Sequence, residues 1–191
     1  LRPVRVWLCD ADFATEDEPA PLDLEGSASE VRFGPDGSRL VVALAPTPLI
    51  DDYYMYRRLH IVDTESGELI RKLDNPGKLG PMHWSPDGKR LAFCSGEDIN
   101  DPSAGRLMVA DVDSGSFGEV MQEYLPNISD IAWLDNETLM FVAEDGCLSA
   151  LGSVKADGKD RKLLIDPGTP IFSELSRSDS GVVAFSASAP T

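Results

Sequence analysis

Arg32-Phe33-Gly34-Pro35-Asp36-Gly37-Ser38-Arg39-Leu40 aligns without a gap on His83-Trp84-Ser85-Pro86-Asp87-Gly88-Lys89-Arg90-Leu91. A degraded third copy reads Ala132-Trp133-Leu134-Asp135-Asn136-Glu137-Thr138-Leu139, and a weaker fourth runs from Leu175 to Val183. The matched apolar residues Leu40, Leu91, Leu139 and Val183 are spaced by 51, 48 and 44 residues. Each copy predicts a hairpin. Pro35 or Pro86 fixes φ, Asp36 or Asp87 can bond nearby backbone, and Gly37 or Gly88 accepts a left-handed conformation. Apolar, alternating runs flank the turns, as a strand with one buried face requires. Asp36 and Asp87 are therefore read as turn residues rather than catalytic carboxylates.

A second motif repeats out of phase with the first. Ile61-Val62-Asp63-Thr64-Glu65-Ser66-Gly67 matches Val109-Ala110-Asp111-Val112-Asp113-Ser114-Gly115, and Ser153 to Gly158 is a looser copy. Its glycines are 48 and 43 residues apart. Two hairpins per repeat give four strands, the period of a β-propeller blade. The predicted fold class is all-β, a β-propeller of four-stranded antiparallel blades with about four blades' worth of strands. The expected division is a half blade over 1–27, blades over 28–80, 81–127 and 128–169, and a half blade over 170–191. Val4 to Asp10 and Pro21 to Leu24 are the expected strands of the first half blade. No helix of consequence is expected. Two closures stay open: the half blades join into a four-bladed ring, or the chain is an arc of a larger propeller. The arc is the preferred expectation, because Leu1 replaces an initiator Met and the sequence stops just after a strand-like run. An arc exposes blade edges, so self-association is expected.

Composition narrows function by exclusion. The 191 residues are 42% hydrophobic and 26% charged, as a globular chain is. The longest apolar run, Leu40 to Ala45, is far too short to span a membrane as a helix. A net charge of −16 disfavours both nucleic acid and anionic lipid as partners. Three separated cysteines, Cys9, Cys94 and Cys147, form neither a disulfide framework nor a zinc motif. They give a weak expectation of a reducing, cytoplasmic compartment, with the periplasm as the alternative if a signal peptide was trimmed. No cofactor and no metal is expected. Glu97-Asp98-Ile99-Asn100-Asp101 lacks the spacing of a calcium loop, and Glu16-Asp17-Glu18 reads as another solvated acidic run.

The Trp84 to Phe93 run, Trp-Ser-Pro-Asp-Gly-Lys-Arg-Leu-Ala-Phe, resembles the repeat of two groups of propellers. One is the TolB type. The other is the propeller of prolyl-oligopeptidase-family serine peptidases, including acylaminoacyl and dipeptidyl peptidases. The long excursion from Pro46 to Asp63 is similar to insertions in acylaminoacyl-peptidase-like members. Repeats of the WD type fit poorly, since no Trp-Asp dipeptide closes a unit. The second resemblance implies a non-catalytic propeller that gates small peptides into an α/β-hydrolase domain, with that domain of the parent chain as its partner. No Gly-x-Ser-x-Gly elbow is present, and Gly115-Ser116-Phe117-Gly118 has the wrong spacing. The resemblance thus carries over no catalytic residue. The alternative is a TolB-like scaffold that binds proteins and is attached to no enzyme. A carbohydrate-processing propeller with an axial site is disfavoured, because only His60 and His83 are available.

The candidate interface is Tyr53, Tyr54, Tyr56, Arg57 and Arg58, residue types enriched at binding hot spots. Trp84, Phe93, Trp133, Phe141 and Phe185 occupy repeated strand positions and are read as inter-blade core. Trp7 is a weaker member of that set.

Overall fold

The computed structural model describes residues 1–9, 19–178 and 180–189. β1 (Trp7–Leu8) pairs antiparallel with β2 (Ala20–Pro21), and the Leu22 amide donates to the Val6 carbonyl at 2.8 Å. The first full sheet contains β3 (Ser27–Phe33), β4 (Arg39–Ala45), β5 (Arg58–Asp63) and β6 (Leu69–Leu73), with α1 (Ile50–Met55) between β4 and β5. The second contains β7 (Leu79–Trp84), β8 (Arg90–Gly96), β9 (Gly105–Asp111) and β10 (Phe117–Glu119). The third contains β11 (Asn127–Trp133), β12 (Thr138–Asp145), β13 (Leu148–Lys155) and β14 (Lys162–Gly168). β15 (Ile171–Arg177) pairs with β16 (Val183–Ser188). Every sheet is an antiparallel meander whose strand order follows the sequence. The fold is all-β and of β-propeller type, a partial propeller with four-stranded blades.

The repeated turns close the same register twice. Phe33 pairs with Leu40 and Trp84 with Leu91, while the Gly34 and Ser85 amides each donate to the arginine carbonyl across the turn at 2.8 Å. Gly37 and Gly88 take φ of 75° and 69°, a region that side chains resist. The third copy pairs Trp133 with Leu139 and is one residue tighter. There Asp135 replaces the Pro-Asp pair, accepting from the amides of Glu137 and Thr138 at 2.8 Å each. The second motif is as regular. Gly67 and Gly115 both take φ of 73°, and each donates its amide to the carbonyl of the motif's Asp at 2.9 Å.

Two compact units are present, Leu1–Asn75 and Pro76–Thr191. In the first, Leu22 and Leu24 pack with Leu40, Val42, Leu44 and Val62 of the first sheet. In the second, β11 packs against β7 on one side and β15 on the other. Period-two alternation therefore sends β12 into two cores. Leu139, Phe141 and Ala143 join Cys94, Leu107 and Trp133, while Met140 and Val142 join Phe172 and Leu175. Each fully buried side chain of this size contributes about 1.5–3 kcal/mol. The Trp133 indole N–H donates to the His83 carbonyl at 2.9 Å, tying the third sheet to the second.

Two expectations need correction. The first strand is Trp7–Leu8 alone, shorter than Val4 to Asp10, and Trp7 is 56% exposed. Among the described residues the only helix is six residues long and buries none of them, in line with the expectation that no helix of consequence is present. Phe185 is 41% exposed and Trp84 is half-buried. Among the described residues β16 pairs with β15 alone, and Phe185, opposite Leu175, meets Phe172 in a T-shaped contact at 4.9 Å. Phe93 and Phe141 are fully buried and Trp133 nearly so.

Candidate functional site

The excursion between β4 and β5 is built by local bonds. The Thr47 hydroxyl donates to the Asp52 carboxylate at 2.6 Å and accepts from the Leu49 amide at 3.3 Å. The Tyr53 amide donates to the Leu49 carbonyl, and the Tyr56 amide to the Asp52 carbonyl, closing the turns of α1. Asp51 and Asp52 lie in its first turn, where the helix dipole favours negative charge. None of its residues is buried. The absence of an inward face explains why no helical periodicity marks the stretch.

Local contact organises its aromatic groups. Tyr53 meets Tyr54 edge-on at 5.3 Å, and the Arg57 guanidinium lies 4.3 Å over the Tyr53 ring. Tyr53, Tyr54, Tyr56, Leu49 and Ile50 are all exposed, with Tyr54 at 57%. Arg57 and Arg58 are half-buried. Along β5, Leu59 and Ile61 are buried on one face, and Arg58, His60 and Val62 share the other, where Val62 packs with Leu22, Leu24, Leu40, Val42 and Leu44. The five candidate interface residues thus form one segment, with Arg58 and His60 on the same face of β5 as Val62. The candidate interface read from the sequence stops at Arg58 and leaves out His60; their two-residue spacing on a strand is the signal that joins them.

The repeated carboxylates are committed to their turns. The Ser38 amide and hydroxyl reach Asp36 at 2.9 and 2.8 Å, and the amide bond leads in holding its pKa below the ordinary value. The Ser85 hydroxyl, at 2.7 Å, is the main cause of the same lowering at Asp87. Asp63 and Asp111 are lowered first by the Ser66 and Ser114 amides. Ser116, in the segment nearest to an elbow, lies in the β9–β10 turn with its hydroxyl 2.8 Å from that of Ser114. The His60 Nδ1 engages the Arg58 carbonyl at 3.1 Å rather than a serine hydroxyl, and burial lowers its pKa. Burial pushes the Cys94 thiol well up, as expected of an inert core cysteine. In the acidic loop, Asp98 accepts from the Asn100 amide at 2.8 Å and Asp101 pairs with Lys78. Glu16-Asp17-Glu18 lies outside the described residues. Among the described residues no group of three or more His, Cys, Asp or Glu has a metal-holding arrangement, and no helix is long and apolar enough to cross a membrane.

No protein-family model and no curated protein matches the sequence. Solved structures match the fold. A puromycin hydrolase variant complexed with PGG aligns with a TM-score of 0.64 and 18% identity, covering 88% of this chain and 26% of its own. TolB from Acinetobacter baumannii aligns at 0.62 and 15%, covering 94% and 42%. An acylaminoacyl peptidase in complex with Z-Gly-Gly-Phe-chloromethyl ketone aligns at 0.56 and 19%, covering 76% and 26%. The chain therefore spans a quarter to less than half of these structures' lengths. At such identities the likeness establishes the propeller-type fold.

Proposed function

We propose that this chain is the non-catalytic propeller part of a prolyl-oligopeptidase-family serine peptidase, gating peptide access to an α/β-hydrolase domain. The observation that carries the reading is the excursion. It presents Tyr53 and Tyr54 on a helix that buries nothing of its own and Tyr56 directly after it, followed by the half-buried Arg57 and Arg58. Exposed tyrosines held in fixed contact with one another and with the Arg57 guanidinium suit a docking surface, because little side-chain entropy remains to be lost on binding. Similarity to propeller-bearing peptidases supports the hydrolase as the docked partner. The reacting serine, its base and its oxyanion donors belong to that domain. This chain supplies steric exclusion and contact surface.

A direct assay tests the non-catalytic part. The purified chain is incubated with aminoacyl and peptidyl anilides, with and without a serine-directed reagent. The expected result is no hydrolysis. Hydrolysis that the reagent abolishes overturns the proposal. The second reading, a TolB-like binding scaffold, is favoured by the TolB alignment over 94% of the chain. A hydrolase elbow encoded after Thr191 supports the peptidase reading, and a chain that closes with its last blade supports the scaffold.

A further inference from the structure

The first unit contains a cavity of about 490 Å³, within the size range of small-molecule sites. Leu24, Leu44 and Leu69 give it an apolar lining, and Arg58 and His60 form a polar wall from one face of β5. Gly26 allows the opposite wall. Its φ is 115°, and a Cβ there would lie 2.4 Å from the Ala45 carbonyl oxygen, so only glycine brings the 23–26 segment this close to β4.

Arg58 is the group that asks for a ligand. Its half-buried guanidinium donates to the Arg57 carbonyl at 2.8 Å and makes no ion pair among the described residues. Burial lowers its pKa, with Asp74 only partly offsetting that cost. Asp74 is itself engaged by Lys72 at 2.8 Å, so the Lys72 charge is also partly spent. The remaining donors of Arg58 match the two oxygens of a carboxylate. His60 adds a complementary group. A carbonyl only accepts, so the Nδ1 facing the Arg58 carbonyl carries the proton, and the neutral ring leaves Nε2 as an acceptor. Asp23 and Glu25 also line the cavity, and their charge repels a second negative charge on the ligand.

We propose that this cavity binds a small monocarboxylate with an apolar body, the carboxylate on Arg58 and the body against Leu24, Leu44 and Leu69. All of the residues that line it belong to the first unit.

The test is an NMR titration of the isotope-labelled 191-residue chain with N-acetyl-leucine, N-acetyl-leucine amide, inorganic phosphate and acetyl-Ala-Ala-Leu. The expected result is saturable shifts of the Gly26, Leu44 and His60 amides with the acid, absent with the amide and with phosphate. Binding of the tripeptide at least as tight as that of N-acetyl-leucine assigns the carboxylate to a peptide C-terminus, and weaker binding assigns it to a free acid. Arg58→Met weakens binding roughly tenfold or more, and Arg58→Lys by less, because lysine keeps the charge and loses the fork. Equal binding of acid and amide, tighter binding of phosphate, or no saturable shift with either carboxylate overturns the proposal. These comparisons need only the unaltered chain, so they stand even if Arg58→Met unfolds it.

Discussion

The second and third strands of a blade are joined in two very different ways in this chain. In the third sheet, Asp145 pairs directly with Leu148, and Gly146 and Cys147 are the whole connection. Gly146 takes φ of 62° at the first turn position, the glycine-first pattern of a type II′ hairpin. In the first sheet, the same step runs from Pro46 to Arg57 and includes a helix with no buried residue. The blade needs only two residues at this place. The additional ones in the first sheet are held by their own hydrogen bonds, and their aromatic groups face outward. Residues that the hairpins of a repeat architecture do not require are free to carry a binding surface, the role proposed for them here.

That contrast predicts an ordered series of effects. Phe141, in the strand leading to the short turn, is fully buried and meets Tyr124 edge-on at 5.7 Å. Phe141→Ala should lower unfolding stability by about 3–5 kcal/mol, read from denaturant melts. Gly146→Ala comes next, at about 1 kcal/mol, from backbone strain alone, because nothing lies within 4 Å of its added Cβ. Tolerance of alanine there at no cost would break the account of the short turn.

A smaller effect follows from the carboxylates of the second hairpins. Asp63 and Asp111 have folded pKa values held below the ordinary one by serine amides and hydroxyls. Their contribution is present above the unfolded carboxylate value of about 3.9 and is lost as pH falls through the lower folded value. Thermal midpoints measured from pH 6 down to pH 3 should therefore fall, and Asp111→Ala should flatten part of that slope. Screening at these exposed positions keeps the share of each small. Smallest of all is Tyr54→Ala in the excursion, expected within about 0.5 kcal/mol in the same melts. A loss comparable with that of Phe141→Ala would make the excursion a structural prop rather than a docking surface.

Much of the blade pattern was legible because it rests on local chemistry. Proline, aspartate and glycine at fixed offsets write a turn, and Gly37, Gly88, Gly67 and Gly115 all take the positive φ that their motifs imply. The degraded third turn was legible only as a hairpin. That Asp135 takes over the capping needs the structure, since the turn is one residue shorter. Phe185 was misread because its strand repeats the pattern of β12 without a comparable set of neighbours. α1 left no trace because a helix of six residues, none of them buried, has no apolar stripe. The excursion was visible as composition, Tyr and Arg in a long connection. The carboxylate cavity was not, because Leu24 and Gly26 reach Arg58 and His60 only through folding.

The most direct measurement of the central claim is the mass of the native product in its source cell, by peptide mass spectrometry across a gel. The account predicts a species several times larger than 20.7 kDa, with peptides continuing past Thr191 into a hydrolase-like segment. A product near 20.7 kDa would contradict it and leave a self-contained binding propeller as the function.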